Sequence, residues 1–285
     1  MNAKRHTVLV ICPHADDAAA FCGGQVILFA RAGWRVVLVR VTDDRTDSVG
    51  LSVEETIRIN TEQLHAAAQI MGVAEIVELG YETDALSEIS HGALRERLIY
   101  LFRKHRPYAV LSFDPYASFE PNRDHVVVAQ AVEEAYWTAA FDKHHPEHLA
   151  AGLAPFSVCE RWYYARVSFQ PNVVVDISAV IDEKIDALAA HHEMMRNTIN
   201  QTRLQLQTWG ARHPLVEQAV LHGKLRPLLE MVIKGGAAEV GKAHGMAFAE
   251  AYRVERFGGL EGYFQQTSEP LDPSNPPLVR PFFQA

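Results

Sequence analysis

Cysteine, positive charge and long apolar runs are all scarce in this chain of 285 residues. Its three cysteines are too few for a disulfide framework, and they indicate a reducing compartment. Lysine and arginine total 27 against 35 acidic residues, and the net charge of −8 argues against nucleic-acid binding, which usually needs a basic face. No apolar run reaches the roughly 18 residues of a membrane-spanning helix. We therefore expect a cytoplasmic protein with neither a nucleic-acid nor a membrane partner.

Three common active-site motifs are also missing. No GxGxxG follows the first predicted strand and no GxxxxGK[ST] occurs, which argues against dinucleotide and P-loop nucleotide binding. No GxSxG occurs either, so we do not expect a serine hydrolase. Histidine, by contrast, is abundant at 14 residues, and an apolar content of 48% is ordinary for a globular protein.

The first half of the chain alternates strand and helix patterns. Short runs rich in β-branched residues predict buried strands at 7–12, 35–41, 75–79 and 108–113. Helical spacing predicts helices at 21–32, 54–71, 93–104 and 124–140. Such βαβ units build a parallel sheet with helices on both faces, and ligands of these sheets bind beyond the carboxyl ends of the strands.

The second half is less regular. It predicts strands at 161–167, 172–177 and 252–257, with a loop at 144–155. It also predicts helices at 179–195, 215–234 and 237–251, the last two separated by Gly235-Gly236. The whole indicates an α/β fold: a Rossmann-like, mostly parallel sheet plus a smaller C-terminal α+β portion. We expect one domain over residues 1–267, with a core at 7–142 and the C-terminal portion at 156–257, followed by a Pro-rich tail at 268–285.

The strongest chemical signal is the PHADD segment directly after the first strand. It places His14, Asp16 and Asp17 within four positions at the carboxyl end of a buried strand. A turn there would aim His14 and Asp17 at one point, and imidazole plus carboxylate suits zinc or a similar divalent metal. The alternative is that one aspartate caps the next helix while His14 is a polar loop residue.

A second, weaker signal is the NRDH segment after the fourth strand. His125 could supply a third metal ligand there, and Asp124 could orient a ring nitrogen. The alternative is an ordinary helix start with Asp124 as the N-cap. The pair is stronger than either segment, because both follow strands of one parallel sheet. Two histidines and one aspartate leave a position for water, whose pKa on zinc falls to about 7.

The ordered segments resemble the LmbE-like family, also called the PIG-L family, of zinc-dependent N-deacetylases. PHADD, Gly23-Gly24 and NRDH are similar to the family's main motifs. Further agreement comes from the segments VTD, AAAQIMG, LGY, KIDALAAHH and EAYRVER, at 41–43, 66–72, 79–81, 184–192 and 250–256. The similarity extends from residue 7 to about residue 257.

The resemblance implies an activity and roles for individual residues. The enzyme would be a metal-dependent hydrolase that removes an acetyl group from the amine of an N-acetyl amino sugar or its conjugate, with a glycoconjugate as substrate. His14, Asp17 and His125 would hold a divalent metal, for which zinc is the first expectation, while iron, cobalt and nickel stay open. Asp16 would be the general base for the metal-bound water and would then protonate the leaving amine.

The chain departs from the family at several positions. Asn122 stands where the family has a histidine, and its amide can stabilise an oxyanion but cannot release a proton. The other departures are Ala15 for proline, Asn60 and Gln63 for an Arg/Glu pair, and Glu193 and Met194 for Ser-Gln. Two alternatives therefore stay open: an amidase for a non-sugar or thiol-conjugate amide, and an inactive sugar or nucleotide binder on the same fold.

Other polar residues are weaker candidates. Four could bind substrate: Asp43, Arg45, Asp84 and His191. For the first three, and for Asp44, a solvated loop is at least as good an explanation, and only one residue of the His191-His192 pair can face the site. The histidines at 144–148 could form a second metal site, but a solvated loop is favoured there. The sequence leaves homo-oligomer formation open.

Overall fold

The fold is built on one mixed sheet of seven strands in a computed structural model that describes residues 6–271. The strands are β1 (Thr7–Cys12), β2 (Arg35–Thr42), β3 (Glu75–Tyr81), β4 (Ala109–Phe113), β5 (Glu160–Tyr164), β6 (Val173–Asp176) and β7 (Ala249–Glu255). Their order is β3-β2-β1-β4-β5-β7-β6. The first five strands are parallel, and β7 is antiparallel to both of its neighbours.

Ten α-helices lie in the described part of the chain. They are α1 (Gly23–Arg31), α2 (Val53–Met71), α3 (His91–His105), α4 (Arg123–Thr138), α5 (Pro146–Ala150), α6 (Ile181–Ala190), α7 (His192–Thr208), α8 (Pro214–His222), α9 (Arg226–Lys242) and α10 (Glu261–Thr267). Local signals explain several ends: Ser52 and Glu55 form a capping box before α2, and Gly72 ends it at a φ of 73°. Among residues 6–271 there is no helix long and apolar enough to cross a membrane.

The sheet is covered on both faces. Val8 and Val10 of β1 pack in one apolar cluster with residues of α1, α2 and the C-terminal helices. Leu9 and Ile11, which alternate with them, pack in a second cluster with residues of α3 and α4. Such alternation of fully buried residues is what a continuous apolar run produces in a parallel strand. The predicted α/β fold with helices on both faces is confirmed.

A buried ion pair ties the C-terminal half to the first helix. Lys184 Nζ on α6 donates to Glu250 Oε1 on β7 at 2.6 Å. The same carboxylate accepts the backbone N–H groups of Gly24 and Gln25, each at 2.9 Å. It therefore binds the N-terminal end of α1, where free N–H groups and the helix dipole favour negative charge. Both charged residues belong to segments that carry the family resemblance, and here they fix the fold.

Several predicted elements of the second half were wrong. The helix at 179–195 is interrupted at His191, which separates α6 from α7, and α7 continues to Thr208. The break between the next helices lies at Gly223, with a φ of 65°, and α9 runs straight through Gly235-Gly236. Glycine costs only about 1 kcal/mol inside a helix, so this pair does not have to end it. Residues 249–251 belong to β7, and the predicted loop at 144–155 contains α5. Of the predicted Pro-rich tail, residues 272–285 lie outside the described residues.

Candidate active site

The two predicted motifs meet at the carboxyl edge of the sheet. His14 and Asp17 lie in the loop after β1, and His125 lies in the first turn of α4, which follows the neighbouring strand β4. All three residues are buried. His14 Nδ1 is 3.2 Å from His125 Nε2. Asp17 Oδ2 is 3.4 Å from His14 Nδ1, and Asp17 Oδ1 is 3.3 Å from His125 Nε2. These side chains could hold a metal ion together.

The spacing of the two ring nitrogens fits a tetrahedral zinc ion. Zn–N and Zn–O bonds of about 2.0–2.1 Å place neighbouring ligand atoms of a tetrahedron about 3.3–3.4 Å apart. The two ring nitrogens lie 3.2 Å apart, and each lies within 3.4 Å of a different one of the two Asp17 carboxylate oxygens. Two imidazoles and one carboxylate also leave a fourth position open, which is the catalytic rather than the structural pattern. The residues present therefore fit a divalent metal.

Local hydrogen bonds shape both loops. Asp17 Oδ2 accepts the backbone N–H of His14 at 2.8 Å, which closes the turn after β1. Asn122 is the N-cap of α4, because its Oδ1 accepts the backbone N–H of Asp124 at 2.9 Å. The alternative that Asp124 is the N-cap is therefore wrong. With its oxygen bound to the helix, Asn122 retains its Nδ2 amide as a hydrogen-bond donor.

Each histidine also has a carboxylate beside its second ring nitrogen. Asp124 Oδ2 is 3.4 Å from His14 Nε2, and it accepts the backbone N–H of Asp84 at 2.7 Å. Glu120 Oε1 is 3.2 Å from His125 Nδ1. Carboxylates in this position fix the tautomer and the ring orientation of metal-binding histidines. The arrangement presents His14 Nδ1 and His125 Nε2 to the same point.

Negative charge is concentrated around this point. Burial, together with the charge of Asp17, raises the pKa of Asp16 to about 7. Burial alone would raise the pKa of Asp17 as well, but His125 and His14 reverse this and hold it below its ordinary value. Burial also raises the pKa of Asp44 to about 6 and that of Asp47 to about 8. A bound cation would offset this charge.

Comparison with known proteins agrees with the geometry. Residues 9–136 match the PIG-L family model, described as GlcNAc-PI de-N-acetylase. A diacetylchitobiose deacetylase from Thermococcus kodakarensis is 31% identical over 186 residues, which cover 65% of this chain and 68% of that protein. The chain belongs to the PIG-L family. The predicted family membership is confirmed.

The relatives of this chain are named for different reactions. A 4-oxalmesaconate hydratase from Pseudomonas putida is 26% identical over 200 residues, covering 66% of this chain and 74% of that protein. The fold is shared with N,N'-diacetylchitobiose deacetylase from Pyrococcus horikoshii, at a TM-score of 0.72 and 23% identity, covering 93% of this chain and 87% of the other. Membership therefore fixes the scaffold more tightly than the substrate.

The predicted rim residues are mostly engaged with protein groups. Asp43 accepts two hydrogen bonds from the Arg45 guanidinium, at 2.9 and 2.6 Å through Oδ2, and Arg45 also pairs with Glu82. Asp84 is exposed with a φ of 64°, and its carboxylate accepts from Thr46 at 3.1 Å. The solvated-loop alternative therefore describes Asp84 best, although its backbone N–H supports Asp124. Substrate contact by these residues stays a prediction.

Asp44 and His191 are buried completely. Asp44 accepts from Arg40 at 3.0 Å and from Thr42 at 3.2 Å, so a solvated loop is wrong for it. His191 has no hydrogen-bond partner for either ring nitrogen within residues 6–271, and burial lowers its pKa to about 4. It is a neutral buried histidine at the junction of α6 and α7. Its neighbour His192 is partly exposed and pairs with Glu193 instead.

The histidines at 144–148 serve the structure in a way the sequence did not predict. His148 is buried, with Nδ1 3.3 Å from an Arg103 guanidinium nitrogen and Nε2 2.7 Å from Glu96. Arg103 also donates to the carbonyl oxygens of Ala139, His145 and Phe141. His145, Glu147 and His148 lie close enough to hold a metal ion together, although both ring nitrogens of His148 already face protein groups, and the solvated-loop explanation is wrong for His148.

Two residues near the ligands were missed by sequence reasoning. Glu120 precedes the NRDH segment by two positions but forms no recognisable spacing with it. Phe113, the last residue of β4, stacks on the His125 ring with centroids 3.9 Å apart and planes 22° apart. A small cavity beside them is lined by residues that include Asp114, Glu120 and Arg166. Only the fold brings these side chains together.

Proposed function

We propose that this protein is a metal-dependent N-deacetylase of the PIG-L family that acts on an N-acetylated amino sugar or its conjugate, with Zn²⁺ as its metal. The convergence of His14, Asp17 and His125 within 3.2–3.4 Å of one another carries this proposal. The relatives named as diacetylchitobiose deacetylases support the amino-sugar substrate. We place the enzyme in the cytoplasm, where its three cysteines would stay reduced.

The proposed mechanism divides the work among named side chains. A bound divalent cation supplies Lewis acidity, which makes water a better nucleophile at neutral pH and polarises an amide carbonyl. Asp16 takes a proton from the attacking water and transfers it to the nitrogen as the C–N bond breaks, so that acetate and a free amine leave. As a carboxylate Asp16 can accept the proton, and as a carboxylic acid it can return the proton to the nitrogen.

Asn122 completes the proposed site as a hydrogen-bond donor. Its Oδ1 is held by the first turn of α4, so the Nδ2 amide is the part of the side chain that can face a substrate. It would stabilise the negative charge that develops on the carbonyl oxygen. Because an amide releases no proton, Asp16 alone handles the proton transfers.

The decisive experiment compares Asp16→Asn with wild-type protein. Both are assayed for acetate release from diacetylchitobiose and N-acetylglucosamine, with metal content measured on the same samples. We expect about a 10²- to 10⁴-fold loss of kcat with unchanged metal content. Asp142→Asn, in an exposed residue that pairs with Lys143, is the control and should match wild type. An Asp16→Asn enzyme that keeps both its metal and its rate rules out Asp16 as the base.

A substrate panel separates the proposal from its alternatives. An N-acetyl hexosamine preference supports the deacetylase, whereas hydrolysis of only non-sugar or thiol-conjugate amides supports the amidase. Hydration of 4-oxalmesaconate would indicate the chemistry named for the Pseudomonas relative. Sugar binding without metal or turnover would indicate the inactive binder.

A further inference from the structure

Glu120 is a carboxylate without a role in the proposed proton transfers, yet it lies against a proposed metal ligand. Its side chain is only 7% exposed, and Oε1 is 3.2 Å from His125 Nδ1. The same oxygen accepts the backbone N–H of Asn122 at 3.0 Å. Its second oxygen is 3.2 Å from Nε of Arg166, which lies just after β5. The carboxylate thus bridges a proposed ligand, the start of α4 and a neighbouring loop.

We propose that Glu120, held by Arg166, is a positioning residue that sets the metal affinity of the site through His125. The proposal rests on the proposed function, because it assumes that His125 is a metal ligand. A carboxylate at ion-pair distance from Nδ1 favours the tautomer that carries the proton on that nitrogen and leaves the Nε2 lone pair free. Nε2 is the atom that faces His14 and Asp17.

Two contacts, one with Phe113 and one with Glu120, restrict the His125 ring to this orientation. Phe113 stacks on the ring, so it limits rotation out of the stacked plane. Glu120 then selects between the two orientations that a ring flip would allow, because a flip would exchange Nδ1 and Cδ2 at the carboxylate. Phe113 and Glu120 together hold Nε2 of His125 in one position, as a preorganised metal ligand requires.

Arg166 connects Glu120, which contacts His125, to the rim of the site. Its side chain is 47% exposed, and the guanidinium lies 5.4 Å from the centroid of the Phe21 ring. The positive charge of Arg166 lies beside the Glu120 carboxylate and offsets its negative charge. Loops after β4 and β5 therefore both act on a ligand that belongs to neither.

The test measures metal binding rather than turnover. Metal-free wild-type protein and Glu120→Gln are titrated with Zn²⁺ in competition with a chromophoric chelator, and their Co²⁺ absorption spectra are compared. Glu120→Gln keeps the size of the side chain but removes its charge, and its amide can donate to Nδ1 and so favour the wrong tautomer. We expect affinity to fall by about 10- to 100-fold, with an altered Co²⁺ spectrum. Arg166→Met should weaken binding in the same direction by a smaller factor.

The chain offers a control with the same bridging pattern in Glu134, whose side chain is 44% exposed. This carboxylate also bridges a histidine and an arginine, with Oε1 3.0 Å from His91 Nε2 and Oε2 2.9 Å from Arg95. Glu134→Gln removes the same kind of bridge away from the site and should bind Zn²⁺ as wild type does.

The outcomes separate this inference from the proposed function. If wild type binds Zn²⁺ and Glu120→Gln binds it equally tightly with the same Co²⁺ spectrum, the inference is overturned while the proposed function stands. If wild type binds no metal, both are overturned. Should Glu120→Gln fail to fold, Glu120→Asp keeps the charge but shortens the reach toward Nδ1. An unchanged affinity in that folded variant would also overturn the inference.

Discussion

Glu250 is the buried group whose replacement we expect to damage the fold most. Its carboxylate accepts from Lys184 Nζ at 2.6 Å, from the backbone N–H groups of Gly24 and Gln25 at 2.9 Å each, and from the Tyr252 hydroxyl at 2.5 Å. Side chains of both charged partners are only 6% exposed. Because four donors depend on one acceptor group, no single substitution can satisfy all of them.

The contacts of Glu250 and Lys184 determine how much stability each substitution should remove, and they make the two losses unequal. Glu250→Gln leaves the buried Lys184 ammonium without its counter-charge, and breaking such a pair costs about 3–5 kcal/mol. That is a large share of the roughly 5–15 kcal/mol by which domains are stable. Lys184→Met should cost less, because the remaining carboxylate still accepts from the N-terminal end of α1 and from Tyr252. The double variant should cost less than the sum of the two single variants.

Urea unfolding of the metal-free protein, monitored by circular dichroism, measures these free energies of unfolding. Glu183→Gln is the control, because Glu183 lies on the same helix α6 and pairs with Arg31, but both side chains are more than 40% exposed. Its loss should be about 0–1 kcal/mol. Equal losses for Glu250→Gln and Lys184→Met, or an additive double variant, would refute the view that one carboxylate serves both the lysine and the helix end.

Three further predictions concern packing, pH and metal. Gly24→Ala should destabilise the protein by about 1–3 kcal/mol in thermal unfolding, because its Cβ would lie 2.5 Å from Ile177 Cγ2, whereas Gly235→Ala meets nothing and should not. His191 stays neutral in the folded protein down to about pH 4, whereas its ordinary pKa is 6.5. Stability should therefore fall as the pH drops from 6.5 toward 4, because the unfolded chain binds the proton first, and urea midpoints of His191→Gln should fall less. Zn²⁺ at 100 times its Kd should stabilise the wild type by about 2.7 kcal/mol and should stabilise His125→Ala far less. Equal stabilisation of both proteins would show that His125 is not a metal ligand.

Much of the first half was predictable because burial there is decided locally. A continuous β-branched run is fully buried wherever a parallel sheet is covered on both faces, and β1 was predicted with its observed bounds of Thr7–Cys12. The meeting of PHADD and NRDH was also predictable, since both follow strands that the fold makes neighbours. Local pattern and topology therefore suffice for the proposed ligands.

The features that the sequence did not predict depend on contacts between segments that are distant along the chain. Helical spacing continues through His191, so nothing local announces the break between α6 and α7. Gly235-Gly236 resembles a helix end, but α9 continues through it. Glu120 carries no motif, and its position beside His125 becomes visible only when the loop after β4 is folded against α4. Sequence patterns identify an element or a ligand more readily than the neighbour that holds it.

The carboxylates beside His14 and His125 connect different elements of the site. His14 comes from the loop after β1, but the carboxylate at its second nitrogen, Asp124, belongs to α4. His125 belongs to α4, but its carboxylate, Glu120, comes from the loop after β4. Each histidine is thus oriented by a carboxylate from an element other than its own. A metal bound at this point would join the loop after β1 to α4, so metal binding and the packing of these elements should stabilise each other.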